Sequence, residues 1–161
     1  MRDFFKRYIP EFVYGAVDGT VTTFAVVAAS AGAGISSSVI LILGIANLIA
    51  DGFSMGSSAY LAASAEHEES VRDSQKRSSP KIIGAVTFLA FVAVGSVPVL
   101  PYLIDVIANL KASNAVLFYV SSALTAATFL AIGFIKGKVS KQSPWQSAGI
   151  TLLLGAIAAG L

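Results

Sequence analysis

Two aspartates, Asp18 and Asp51, lie inside long apolar stretches of the sequence. A charged side chain within a membrane costs about 2.5–3.5 kcal/mol on insertion scales, so such a residue indicates a function or a specific contact. A carboxylate in this position can bind a metal ion, and it can exchange that ion for a proton because burial disfavours the charged form. The alternative for each aspartate is a structural hydrogen bond to a neighbouring helix.

Helical spacing predicts further oxygen and sulfur donors on the same faces, because residues at i and i+4 share one side of a helix. The first face carries Tyr14, Asp18 and Thr22. The second carries Asn47, Asp51, Met55 and, at its far end, Glu66. Carboxylate and amide oxygens are hard ligands and a thioether is soft, so the set favours a borderline divalent ion such as Fe²⁺ or Mn²⁺. The candidate metal ligands are Asp18, Asp51, Met55, Asn47 and Glu66.

Two of these candidates have ordinary structural alternatives. A methionine on a helix is more often core packing than a ligand, and Met55 gains weight only because it lies one turn from Asp51. Asn47 is open between a contact that holds two helices together and a ligand.

Five apolar stretches must position these residues. Of the 161 residues, 55% are hydrophobic and 12% charged, whereas soluble domains average about 25% charged. The stretches are continuous and most are close to the roughly 20 residues that a spanning helix needs, which excludes the short alternating strands of a membrane barrel. We therefore predict an all-α membrane domain with one unit over residues 1–161 and spans at 12–31, 39–65, 82–104, 115–135 and 145–161.

The basic residues predict the orientation of these spans. The ten that fall on one side of the five-span arrangement are Arg2, Lys6, Arg7, Arg72, Lys76, Arg77, Lys81, Lys136, Lys138 and Lys141. Lys111 alone falls on the other side. Because basic residues stay on the cytoplasmic side, the N-terminus is predicted to be cytoplasmic. Pro98 and Pro101 are predicted to bend or end the third helix.

Two G-x-x-x-G pairs, Gly15/Gly19 and Gly52/Gly56, adjoin the aspartates. Such pairs let helix backbones approach closely. We expect them to bring Asp18 and Asp51 toward each other or toward their copies in a second subunit. An acidic cluster follows the second span, at Glu66, Glu68, Glu69 and Asp73 with His67 among them. It is either a collector of cations or an ordinary solvated helix end.

The segments YGAVDGTVTTF at 14–24 and GIANLIADGFSMGSSAY at 44–60 resemble the vacuolar iron transporter family. This resemblance implies five spans, a cytoplasmic N-terminus and a homodimer with its path between the first two helices. It also implies export of Fe²⁺, and often Mn²⁺, from the cytosol in exchange for protons. The pore aspartate of the family falls on Asp18, its A-D aspartate on Asp51 and its pore methionine on Met55.

The sequence departs from the family at two places. Ala59 stands where many members have a glutamate, and the short link at 66–80 leaves no room for the cytoplasmic metal-binding domain of longer members. We predict a transporter rather than an enzyme, with the metal ion as cargo and no resident cofactor. The expected partners are protons, lipid and a second copy, without nucleic acid, in a prokaryotic inner membrane. A non-transporting membrane scaffold is the alternative.

Overall fold

The computed structural model describes residues 2–69 and 78–160, and the side chains of residues 7–66 and 78–158. Within these ranges the chain forms α-helices and one 3₁₀ turn, without strands. The helices are α1 (Arg2–Gly32), α2 (Ser37–Glu69), α3 (Pro80–Gly95), α4 (Leu100–Ala108), α5 (Asn114–Val139) and α6 (Pro144–Gly160). The all-α prediction is confirmed for the described residues.

Four helical segments are long and apolar enough to cross a membrane, which makes this a multi-pass membrane protein. They are Arg7–Gly32, Ser37–Glu66, Pro80–Ala108 and Asn114–Val139. The fifth predicted span forms α6, whose 17 residues extend about 25 Å against a hydrocarbon core about 30 Å thick. The fifth crossing and the cytoplasmic N-terminus stay predictions.

The third span is interrupted in the way its prolines predict. Helix α3 ends at Gly95, a 3₁₀ turn occupies Val97–Val99, and α4 begins at Leu100. The break leaves backbone groups without helical partners inside the membrane, where water cannot satisfy them. The hydroxyl of Ser121 on α5 meets one of these needs by donating to the carbonyl oxygen of Pro98 at 2.7 Å.

Helix α3 packs against both α1 and α2, and the glycine pairs make this contact possible. A Cβ atom added at Gly19 would lie 2.6 Å from the carbonyl oxygen of Phe91, and one at Gly56 would lie 3.0 Å from that of Gly84. Gly15 faces the backbone of α3 in the same way, and a Cβ atom added at Gly52 would lie 3.2 Å from side-chain atoms of α3. Within one chain the glycine pairs therefore pack against α3 and do not bring α1 and α2 together, whereas the expected approach of the aspartates to their copies in a second subunit stays a prediction.

A short turn makes α1 and α2 antiparallel neighbours. The turn covers residues 33–36, and Gly34 has a left-handed φ of +71° that residues with a side chain rarely adopt. The amide of Ile35 donates back to the carbonyl of Ser30, which closes the end of α1. The end of α1 and the start of α2, the two helices that carry the candidate ligands, are thus fixed next to each other by this turn.

Candidate metal site between α1 and α2

One side chain sets how α1 and α2 align. The Nδ2 atom of Asn47 on α2 donates to the Oγ1 atoms of Thr22 at 3.4 Å and of Thr23 at 3.2 Å, both on α1. Because Asn47 donates to two adjacent residues of the facing helix, these bonds fix the position of α2 along the axis of α1.

This alignment places the two predicted aspartates level with each other. Asp18 lies one turn before Thr22 on α1, and Asp51 lies one turn after Asn47 on the antiparallel α2. Because the helices are antiparallel, moving back one turn on α1 from Thr22 and forward one turn on α2 from Asn47 goes in the same direction along the bundle, and it reaches Asp18 and Asp51. The structure thus brings Asp18, Asp51 and Asn47 together.

Met55 continues the same face of α2 by one further turn. Its side chain is half-buried and packs against the core cluster that includes Leu48 and Phe91. Opposite it on α1, Tyr14 is 64% exposed. Met55 therefore has a packing role in this chain and, because it adjoins Asp51, a position from which sulfur can also reach the carboxylate pair.

Glu66 does not join this group. It lies fifteen residues after Asp51, which is about 22 Å along the axis of α2, and it is exposed. Three further members of the acidic cluster, His67, Glu68 and Glu69, have side chains outside the described set. Asp73 lies outside the described residues altogether.

The carboxylate pair is short of ligands within one chain. Among the described residues no group of three or more histidine, cysteine, aspartate or glutamate side chains is gathered in one place. The pair at Asp18 and Asp51 would therefore need the amide, the thioether, water or a second copy of the chain to complete a coordination shell.

Glu11 is a residue that the sequence reasoning missed. It lies seven residues before Asp18, so the two share a face of α1 and are about 10 Å apart along its axis. Its Oε2 atom is buried and has no hydrogen-bond partner among the described residues. The i, i+7 spacing was available in the sequence, but the span was predicted to start after Glu11, whereas the helix continues through it.

The open side of Asp18 borders a groove of about 480 Å³ between α1 and the α5–α6 pair. Apolar side chains line most of it, and Lys136 and Thr151 add polar groups. Asp18 and Asp51 are each half-buried in the single chain. Neither carboxylate is thus fully covered by the chain's own helices.

Comparison with known proteins agrees with the sequence motifs. A family model described as the VIT family matches residues 9–81 and 67–161, two segments that overlap at 67–81. A vacuolar iron transporter of Toxoplasma gondii is 46% identical over 61 residues, which is 38% of this chain and 20% of that protein. Vacuolar iron transporter 1 of Arabidopsis thaliana is 37% identical over 75 residues, covering 47% of this chain and 30% of that protein.

A longer match extends over nearly the whole chain. Vacuolar iron transporter 2 of Oryza sativa subsp. japonica is 25% identical over 209 aligned positions, covering 93% of this chain and 82% of that protein. Since 209 positions exceed the 161 residues here, the rice protein carries inserted residues that this chain lacks. The overlap of the two family matches at 67–81 falls on the link where the sequence predicted a missing domain.

The matched share of the relatives is small for several of them, and their names bear on the predicted location. The chain spans 20–26% of the length of the Toxoplasma and Plasmodium relatives that it matches. The expectation of a prokaryotic inner membrane finds no support, since these relatives are eukaryotic proteins named for the vacuole. Because the family model accounts for both the Asp18–Asp51 half and the α3–α6 half of the sequence, the protein belongs to the VIT family.

Proposed function

We propose that the protein moves a divalent transition-metal ion, Fe²⁺ or Mn²⁺, across a membrane and out of the cytosol in exchange for protons. The observation that carries the proposal is the level pair of carboxylates, Asp18 and Asp51, held inside two spanning helices by Asn47. The relatives named as iron transporters support iron as the cargo. The proposal is transport rather than catalysis.

Each candidate ligand has a distinct part in this proposal. The carboxylates of Asp18 and Asp51 bind either the metal or protons. The Nδ2 atom of Asn47 donates to the two threonines, so its side-chain carbonyl oxygen remains available as a metal ligand beside the carboxylate pair. The thioether of Met55 disfavours hard ions such as Mg²⁺ and Ca²⁺. Glu11, one heptad away, lies on the route between the pair and the end of α1 from which the chain starts.

Exchange with protons follows from the charge of the pair. Two carboxylates at one height repel each other strongly where the dielectric constant is low. A divalent ion cancels both charges, and its departure leaves two charges that the membrane interior tolerates poorly. Proton uptake by Asp18 or Asp51 removes that difficulty, so metal release and proton binding are coupled at one site.

A second copy of the chain is part of the proposal. One chain leaves Asp18 and Asp51 half-exposed, and hydrocarbon in that space would cost about 2.5–3.5 kcal/mol for each charged group. A homodimer formed through α1 and α2 would replace the hydrocarbon with the same faces of a second chain. Up to four carboxylates would then surround the ion, which also meets the shortage of ligands described above.

Flux measurements test the proposal. The purified protein is reconstituted in liposomes that contain a metal-sensitive dye, and Fe²⁺ or Mn²⁺ entry is followed with and without a proton gradient. We expect Asp18→Asn and Asp51→Asn each to lower the flux at least about tenfold, because each removes a charged ligand. Thr20→Val is the matched control, since its buried hydroxyl bonds only to the carbonyl of Ala16 in its own helix.

Three outcomes bear on the proposal in different ways. Flux through Asp18→Asn equal to that of the unaltered protein contradicts the assignment of the site. Metal flux that is the same with and without a proton gradient contradicts the exchange of metal for protons but not metal transport itself. Absence of both flux and any metal-dependent thermal shift in detergent favours the alternative, a membrane scaffold without transport.

A further inference from the structure

An open cavity of about 450 Å³ lies where α5 ends and α6 begins. It borders the basic link between the two helices, and Lys136 lines both this cavity and the groove that Asp18 borders. Its lining consists of Lys136, Gln142, Ser143, Gln146, Ser147 and Ile150. None of these residues is acidic, and all but one carry a polar side chain that can donate a hydrogen bond.

The charges around this cavity favour an anion. Lys136 lies in the last turn of α5, is half-buried, and forms no ion pair with any residue that the structure describes. Helix α6 begins at Pro144 beside the cavity. Pro144 has no amide hydrogen and the amide of Ser147 donates to the carbonyl of Ser143, so the first-turn amides without an acceptor in their own helix are those of Trp145 and Gln146. The helix dipole adds positive potential at this end.

Ser147 provides an independent indication of a binding site. The residue is 5% exposed, and its hydroxyl oxygen is buried without a hydrogen-bond partner among the described residues. A buried polar atom left unsatisfied costs about 1–3 kcal/mol, so native proteins rarely keep one without a partner. Because Ser147 lines the cavity, a bound acceptor there would satisfy its hydroxyl.

We propose that this cavity binds a phosphate group through Lys136, the first turn of α6 and the hydroxyl of Ser147. The donor set is cationic or neutral throughout, which suits an anion with several acceptor oxygens and excludes a metal cation. The group can belong to an anionic lipid or to a free phosphate. Trp145, the second residue of α6, is 78% exposed, and exposed tryptophans are typical of the depth where lipid headgroups begin, which agrees with a lipid phosphate as the source.

Binding is measured on the full chain in uncharged detergent by isothermal calorimetry. The probes are dioctanoyl phosphatidic acid, inorganic phosphate and, as the zwitterionic comparison, dioctanoyl phosphatidylcholine. We expect Lys136→Gln to raise the Kd of the anionic probe about tenfold or more, since it removes a charge-assisted bond. Lys138→Gln is the matched control, because it removes the same charge from the same turn of α5 but does not line the cavity.

Ser147→Ala separates a ligand contact from a structural role. Its thermal stability without ligand should equal or exceed that of the unaltered protein, because an unsatisfied hydroxyl is removed. Its Kd for the anionic probe should nevertheless rise severalfold. A stable Ser147→Ala protein with unchanged affinity overturns the place of this hydroxyl in the site.

The probes distinguish the two sources of phosphate. Binding of phosphatidic acid alone supports a lipid headgroup, and binding of both anions supports a site that recognises phosphate itself. The proposal is overturned if neither anion binds, if phosphatidylcholine binds as tightly as phosphatidic acid, or if Lys138→Gln weakens binding as much as Lys136→Gln. None of these readouts depends on metal transport.

Discussion

Replacement of Asn47 by leucine tests the alignment on which the candidate site depends. Leucine has the same number and branching of side-chain heavy atoms as asparagine but cannot donate to Thr22 or Thr23. Hydrogen bonds between membrane helices are worth about 0.6 kcal/mol on average and at most about 1.7 kcal/mol. Since the two bonds are long, at 3.4 Å and 3.2 Å, we expect a loss of about 1 kcal/mol in the free energy of unfolding.

The assay is reversible unfolding in mixed micelles, followed by helical circular dichroism. Thr23→Val removes one acceptor, and the double variant completes a mutant cycle with Asn47→Leu. The two single losses should overlap, so that the double variant loses clearly less than their sum. Thr20→Val, whose hydroxyl bonds only within α1, should show no coupling to Asn47→Leu.

The same variants decide whether Asn47 is a ligand as well as a helix contact. If its carbonyl oxygen binds the ion, Asn47→Leu lowers metal affinity beyond any loss seen in Thr23→Val. If it is a contact alone, the two variants bind metal equally well. Strictly additive stability losses would refute the reasoning itself, because they would mean that Asn47 does not hold α1 and α2 in register through Thr23.

Two further pairs of variants test the packing around the site by the same unfolding measurement. Gly15→Ala should be about 1–3 kcal/mol less stable than Gly149→Ala, because its new methyl group meets the backbone of α3 at Thr87 whereas a Cβ at Gly149 meets open space. Equal stabilities would contradict that close contact. Ser121→Ala should lose about 1–2 kcal/mol with its bond to the interrupted span, and Thr125→Val, whose buried hydroxyl has no hydrogen-bond partner among the residues the structure describes, should lose almost nothing. A larger loss of stability in Thr125→Val than in Ser121→Ala would contradict this assignment of hydrogen bonds.

The candidate site shows where sequence reasoning succeeds and fails. Asp18 and Asp51 stand out in the sequence because a charge within an apolar stretch is costly wherever the stretch packs. Glu11 did not stand out, because hydropathy alone started the first span at residue 12, one residue too late to include it. Its buried oxygen became visible only when α1 was seen to continue through that position.

The glycine pairs show a different limit. Their spacing correctly indicated close helix contacts, but spacing does not name the partner helix. Gly19 and Gly56 meet α3, so the third span fills the position where the sequence suggested a direct approach of α1 to α2. The sequence did not decide whether Asn47 is a helix contact or a metal ligand, because its bonds to Thr22 and Thr23 involve residues 25 and 24 positions away along the chain.

The sequence by itself determined the helical class, the positions of the long spans, the proline break in the third span and the two acids within the membrane. These follow from local rules, since the insertion cost of a residue and the backbone limits of proline act wherever a segment packs. Only the tertiary structure decided that Asn47 aligns Asp18 and Asp51 at one height, that α3 occupies the glycine faces, and that Lys136 and Ser147 line one cavity. Those arrangements depend on how distant helices meet, and helix pairing in a membrane is set by shape and hydrogen bonding rather than by hydropathy.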